Sequence, residues 1–245
     1  MKRILASLFV ALALTGTSPA FAETLSELPF SKKLKLAQVG DEEAQMAVAA
    51  AYEQGGEAKK DIAEAAKWYR EAALIGNVEA EFRLARLVSK GAKGLTKDLK
   101  TAAKLYEAAA NSGHLESQNA MGQAYQNGHG VEVNETKAVE WFRKAADAKL
   151  AVAQNNLGIL YLNGKGVGRD VNAAFKLFEQ AASQGDGWGL NNLGGMYEMG
   201  WGVSKSRTKA AELYQQAAEK GIVSGKENLA RLAPAAAPVA PVTQN

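Results

Sequence analysis

The sequence predicts an all-α fold, about five helix-turn-helix repeats stacked in an open array with a capping helix at each end. Three observations predict it. Two motifs alternate along the chain and return every 36 or 37 residues. Each motif spaces its apolar residues as one face of a helix does. Glycines fall between the motifs, where each helix has to end.

One motif reads "EAAKWYREAALIGN" (64–77), "TAAKLYEAAANSGH" (101–114), "KAVEWFRKAADAKL" (137–150), "NAAFKLFEQAASQGD" (172–186) and "KAAELYQQAAEKGI" (209–222). Its bulky pairs begin at Trp68, Leu105, Trp141, Leu177 and Leu213, at steps of 37, 36, 36 and 36. Ala65, Trp68, Tyr69 and Ala72 form an i, i+3, i+4, i+7 stripe with charges opposite, which assigns Trp68 and Trp141 to the core. The other motif reads "AQMAVAAAYEQGG" (44–56), "SQNAMGQAYQNGHGV" (117–131), "AQNNLGILYLNGKGV" (153–167) and "GLNNLGGMYEMGWGV" (189–203). Tyr52, Tyr125, Tyr161 and Tyr197 share one slot, with Val88 in the second repeat. A small residue recurs at Ala49, Ala85, Gly122, Gly158 and Gly194. Glycine inside a helix costs about 1 kcal/mol against alanine, so its return implies a neighbouring helix that passes too close for a larger side chain.

Each unit is therefore a first helix, a glycine turn, a second helix and a return turn carrying Gly40, Gly76, Gly113, Gly185 or Gly221. Five pairs span 41–221. "SKKLKLAQVG" (31–40) reads as the second helix of a preceding unit, and "GKENLARL" (225–232) as a lone first helix. Exposed ends of a stack need such caps.

The stretch "NGKGVGRD" (163–170) looks like a phosphate cradle, with three glycines around Lys165. It has siblings, "NGHGVEVN" and "MGWGVSKS", at the same place in other repeats. A phosphate loop follows a β-strand and occurs once; this one follows a helix and recurs. Lys165 aligns with His129 and Trp201, so no cation is fixed there. The glycines make the hairpin turn, and Val131, Val167 and Val203 tuck it against the pair.

The ends differ from this pattern. Lys2 and Arg3 precede an apolar run from Ile4 to Leu14, and Ala20-Phe21-Ala22 suits a signal peptidase. Residues 1–22 read as a secretory signal peptide cleaved near Ala22, giving a periplasmic or secreted product. The run is too short for a permanent membrane anchor, and no second one exists, so no membrane span is expected after its removal. Without Lys2 and Arg3 the chain holds 27 basic against 26 acidic residues, which argues against nucleic-acid binding. There are no cysteines, hence no disulfides, thiolate metal sites or cysteine nucleophile. Residues 23–40 form the N-terminal capping segment, 41–232 the repeats, and "APAAAPVAPVTQN" (233–245) an extended, disordered tail rich in alanine and proline.

The pattern A-x-x-x-L-G-x-x-Y-x-x-G-x-G-V, then K-A-x-x-W-[YF]-x-K-A-A-x-x-G, resembles the Sel-one-like repeat, a relative of the tetratricopeptide repeat. The third to fifth repeats match well; in the first, "GGEAKKD" lacks the G-x-G-V. The resemblance covers about 41–232 and implies a right-handed α-solenoid whose first helices line a concave groove. It also implies an adaptor role in bacterial envelope regulation or host interaction. A disulfide-bonded subgroup of that family is linked to penicillin binding, and this chain lacks its cysteines.

Candidate site residues follow from slots that break or extend the pattern. His114 and His129 fall in variable slots and read as surface turn residues, not metal ligands. No Ser–His–Asp set is present, and no catalytic residue, cofactor or metal is assigned. Glu43, Glu79 and Glu116 form a ladder that the helix dipole explains. Asn119, Asn155 and Asn191 share another slot, with Asn156 and Asn192 beside two of them. Two uses suit this ladder, gripping the backbone of an extended peptide or hydrogen bonding between repeats. Trp188 and Trp201 lie outside the recurring pattern, which suits partner anchors or packing against the terminal cap. The expected function is an exported adaptor that binds a protein or peptide in its groove. Two alternatives are a cell-wall or β-lactam-acting hydrolase and a self-associating envelope scaffold.

Overall fold

The computed structural model describes residues 24–232. The expected signal peptide and the Ala/Pro tail lie outside the described residues. Among the described residues the chain is helical throughout. After a short 3-10 turn at Leu25–Glu27 come α1 (Phe30–Gln38), α2 (Glu42–Gln54), α3 (Ile62–Leu74), α4 (Val78–Lys90), α5 (Leu99–Asn111) and α6 (Leu115–Asn127). Then follow α7 (Glu135–Asp147), α8 (Ala151–Asn163), α9 (Val171–Ser183), α10 (Gly187–Met199), α11 (Arg207–Glu219) and α12 (Val223–Leu232). The pairs α2–α3, α4–α5, α6–α7, α8–α9 and α10–α11 are the five hairpins, and α1 and α12 close the ends.

The helices start where a side chain can satisfy the free N–H groups of the first turn. Asp41, Asp61, Asn77, Asp98, Asn134, Asp170, Asp186 and Ser206 all accept from backbone N–H groups two or three residues on. They end at return turns whose glycines take positive φ, from 79° at Gly185 to 93° at Gly76. The third repeat breaks this rule. Its turn residue is Lys149, held at φ 68°, where an L-residue pays roughly 1–2 kcal/mol.

Four of the five hairpins close on a buried aromatic ring from the second helix, while Tyr106 of the second repeat is only half-buried. Tyr69, Phe142, Phe178 and Tyr214 are all buried, and the small slot of the first helix receives them. A Cβ on Gly122, Gly158 or Gly194 would lie 2.6, 2.7 or 2.8 Å from the rings of Phe142, Phe178 or Tyr214. The neighbouring helix does pass too close for a larger side chain, and it is its aromatic ring that fills the space. Trp141 is buried, but Trp68 is only half-buried and lines the wall of a surface cavity.

The G-x-G-V turns do more than reverse the chain. The second glycine of each lies against the first turn of the preceding repeat's second helix. A Cβ on Gly130 would collide with the backbone of Leu99, and one on Gly166 with that of Glu135. Val167 packs against the cluster that α8 of its own repeat forms with α7 of the preceding one. The loop glycines are therefore stacking residues, which ties the spacing of the repeats to the turn.

Candidate functional site

First helices pack on one another as well as on their hairpin partners; α8 touches α10 directly. They form the inner side of the stack, and two kinds of polar link join them. In the C-terminal half the links are asparagine pairs. Asn156 Nδ2 donates to Asn119 Oδ1 at 2.9 Å, Asn192 Nδ2 to Asn155 Oδ1 at 2.8 Å, and Asn228 Nδ2 to Asn191 Oδ1 at 3.1 Å. Asn119 and Asn155 are buried, and Asn156, Asn191 and Asn192 are half-buried. Of the two uses open to the ladder, hydrogen bonding between repeats is the one these distances record. Asn228 escaped the sequence reading, although continuing the spacing from Asn192 by one more repeat points to it.

The second link is a charged clamp. Tyr214 Oη donates to Glu198 Oε2 at 2.8 Å, and Arg231 Nη2 from α12 donates to the same oxygen at 2.7 Å. The arginine holds the Glu198 carboxyl below the usual carboxylate range, while burial and the adjacent carboxylate push the Tyr214 phenol well up. The same set recurs at the other end. Tyr69 Oη donates to Glu53 at 2.8 Å, and Arg86 on α4 pairs with the same carboxylate. Burial is again the main cause that raises the Tyr69 phenol. The signal was present in the sequence as the dipeptides Tyr52-Glu53 and Tyr197-Glu198, each followed by an arginine 33 residues after the glutamate.

A cavity of about 430 Å³ opens on this inner side where α8, α10 and α12 meet. Ile159, Leu162, Met199 and Trp201 supply its apolar walls, with Asn191, Asn192 and Asn228 among its polar ones. Trp201 is 43 % exposed and Met199 53 %. A rim of exposed apolar side chains beside amides is how peptide-binding sites commonly look. Trp188 is elsewhere. It lies in the first turn of α10, about 20 Å along the helix from Trp201, and it is 52 % exposed. The structure thus brings Trp201, Asn191 and Asn192 together, keeps Asn119, Asn155 and Asn156 inside the stack, and leaves Trp188 apart. Met199 and Leu162 had no distinguishing signal, because their slots vary from repeat to repeat.

Other features are structural in character. His114 is half-buried and caps α6, its Nδ1 accepting from Ser117 N at 3.2 Å while Nε2 meets Glu79 Oε2 at 3.2 Å. It is more than a surface turn residue, whereas His129 is exposed. Gln45, Gln118 and Gln154 donate to the carbonyls of Ala37, Ala110 and Ala146 in the preceding helix. Glu81 holds that slot in the second repeat. Its Oε2 is buried without a hydrogen-bond partner among the described residues, and burial pushes its carboxyl up. A second cavity, of about 600 Å³, lies between α1, α2 and α3 and mixes Val39 and Trp68 with Glu64, Lys67 and Glu71.

An open stack of helical hairpins with a groove on its inner side defines a class, the helical-repeat solenoids. Within it the chain belongs to the Sel1 repeat family. The family model matches residues 42–77, 78–114, 115–150, 151–186 and 189–222, and members of this family are generally protein-interaction scaffolds. Among solved structures, the chain is similar to a protective antigen present in uropathogenic Escherichia coli strains, which displays an SLR fold. The two share 34 % identity at a TM-score of 0.77, over 84 % of this chain and 44 % of that one. It thus spans less than half the length of that protein. A Sel1 repeat protein from Oxalobacter formigenes is similar at 25 % identity and a TM-score of 0.75, over 86 % of this chain and 92 % of that one. Comparison with curated proteins returns no match. No helix among the described residues is long and apolar enough to cross a membrane.

Proposed function

We propose that this chain is an exported adaptor of the bacterial envelope, periplasmic or secreted, that binds a protein or peptide on the inner side of its stack. The observation that carries the reading is the cavity between α8, α10 and α12, where exposed Trp201 and Met199 stand beside Asn191 and Asn192. An extended peptide presents backbone carbonyls and N–H groups that amides can meet, and its apolar side chains fit the rim. Asn119, Asn155 and Asn156 act indirectly, by keeping adjacent first helices at fixed spacing. Trp188 is a separate contact point at the far end of α10. Binding needs no covalent chemistry and no cofactor.

Export is supported by the sequence of residues 1–22. A compartment test on the intact cell, fractionating periplasm from cytoplasm, should place the processed chain outside the inner membrane. Crosslinking in cells from a photoreactive residue at Met199, followed by mass spectrometry, tests the binding face. An adduct from Met199 and none from Leu74, a still more exposed residue at the end of α3, supports the reading. The reverse pattern contradicts it.

A further inference from the structure

We infer that the cavity between α1, α2 and α3 is a second contact site, on the outer side of the stack, that takes an arginine side chain of a protein partner on the indole of Trp68. It lies between second helices, apart from the cavity at Trp201, and does not depend on peptide binding there.

Other repeats show what this cavity lacks. In the third repeat Trp141 occupies the slot of Trp68, and Lys144 Nζ sits over its ring, 3.9 Å from the centroid. Glu71 holds the slot of Lys144 in the first repeat, and Trp68 has no cation over its ring among the described residues. Gln45, Gln118 and Gln154 share a second slot. Gln154 Oε1 accepts from Gln184 Nε2 at 2.7 Å. Ile75 and Ala148 stand in the place of that donor in the first and third repeats. Gln45 Oε1 and Gln118 Oε1 accordingly have no hydrogen-bond partner among the described residues. The first repeat thus lacks both the cation and the donor, and there Trp68 and Gln45 line one cavity of about 600 Å³. Gln45 is 6 % exposed, so bulk water does not stand in for the missing donor.

A guanidinium answers both needs. Its flat face stacks on an indole, and its N–H groups point outward in the same plane. On Trp68 it can donate to Gln45 Oε1 and to a carboxylate at once. Glu64 and Glu71 lie one turn before and one turn after Trp68 on α3 and line the same cavity. Lys67 pairs with Glu64, whereas Glu71 makes no ion pair among the described residues. The lining therefore keeps one uncompensated negative charge, which matches a single cation. Val39, exposed at the end of α1, offers apolar surface to the methylene stem of the side chain. A lysine ammonium fits less well, because it is a compact, strongly hydrated charge that cannot lie flat on the ring.

The indole N–H signal of Trp68 and the side-chain amide signals of Gln45, followed in ¹H–¹⁵N spectra, read the site directly. Titrated with acetyl-arginine amide, both should shift and saturate together while the Trp188 and Trp201 indoles stay unmoved. No saturable shift at Trp68, or one at Trp188 or Trp201 instead, overturns the inference. Acetyl-citrulline amide, a neutral analogue of nearly the same shape, should leave Trp68 unmoved, and acetyl-lysine amide should bind more weakly. Equal binding by either rules the guanidinium out. Free L-arginine, whose own carboxylate Glu71 repels, should also bind more weakly; tighter binding assigns the site to the free amino acid and contradicts a protein partner. Two variants fill the site with devices the chain already uses. Glu71→Lys sets a cation beside Trp68 as Lys144 does for Trp141, and Ile75→Gln gives Gln45 the donor that Gln184 gives Gln154. Each should weaken acetyl-arginine amide by about tenfold, with a thermal melt confirming that the chain is folded. Folded variants that bind as the parent does count against the inference. Neither substitution touches the cavity at Trp201, so crosslinking from Met199 stands or falls separately.

Discussion

The outer and inner repeats fill one slot in two ways. In the first and fifth, Tyr69 and Tyr214 donate across their own hairpin to Glu53 and Glu198, and an arginine from the next first helix completes the link. In the third and fourth, Phe142 and Phe178 end inside the hairpin, and Gln126 and Leu162 stand where the glutamates were. The link between neighbouring first helices then passes to the asparagine pairs. At the final junction, α10 to α12, both devices operate together. The difference shows that a repeat needs its hairpin core and its lateral link, but that these are separable. Leu162, which stands in the glutamate slot of the fourth repeat, gives the cavity beside that final junction one of its apolar walls.

The comparison can be broken most severely at the turns. Gly166 has φ 66° and the backbone of Glu135 directly against it. Gly166→Ala should cost about 2–3 kcal/mol, while Gly168→Ala two residues on, with open space around it, should stay within about 0.5 kcal/mol. Chemical denaturation of the two variants measures the gap. Next comes the inner link: Asn155→Ala leaves the half-buried Asn192 amide without its acceptor, at about 1–2 kcal/mol.

The outer link is sharpened by pH. Arg231 depresses the Glu198 carboxyl in the folded state. Its contribution is therefore present above the unfolded carboxylate value, about 4.3, and is lost as pH falls through the lower folded value. Thermal melts from pH 6 down to pH 3 should show a steeper loss for the parent chain than for Arg231→Met. The smallest effect concerns the third repeat alone. Lys149→Gly relieves the left-handed turn and should gain about 0.5–1 kcal/mol, net of the greater freedom of glycine in the unfolded chain.

Helix positions were legible because the repeats restate them five times, so a single irregular turn such as "DAKL" at 147–150 does not hide the period. What stayed hidden were choices made by neighbours in space. Trp68 occupies the same slot as Trp141 and yet stays half-buried, because only the short α1 covers that end. His114 became a cap because Leu115 begins a helix one residue later, with Glu79 within reach of the ring. The asparagine ladder was visible as a pattern, but not its direction, since the same amide can face a ligand or the next repeat. Trp201 was legible as an exception to the pattern, whereas its neighbours Met199 and Leu162 needed coordinates.

The central claim is that the buried asparagines hold the stack while the Trp201 rim takes the partner. Melting temperature and Met199 crosslink yield, measured side by side for Asn155→Ala and Trp201→Ala, test it most directly. Asn155→Ala should lower the melting temperature, and Trp201→Ala should leave it unchanged while abolishing most of the crosslinked product. A Trp201→Ala chain that melts normally and crosslinks at full yield would contradict the claim.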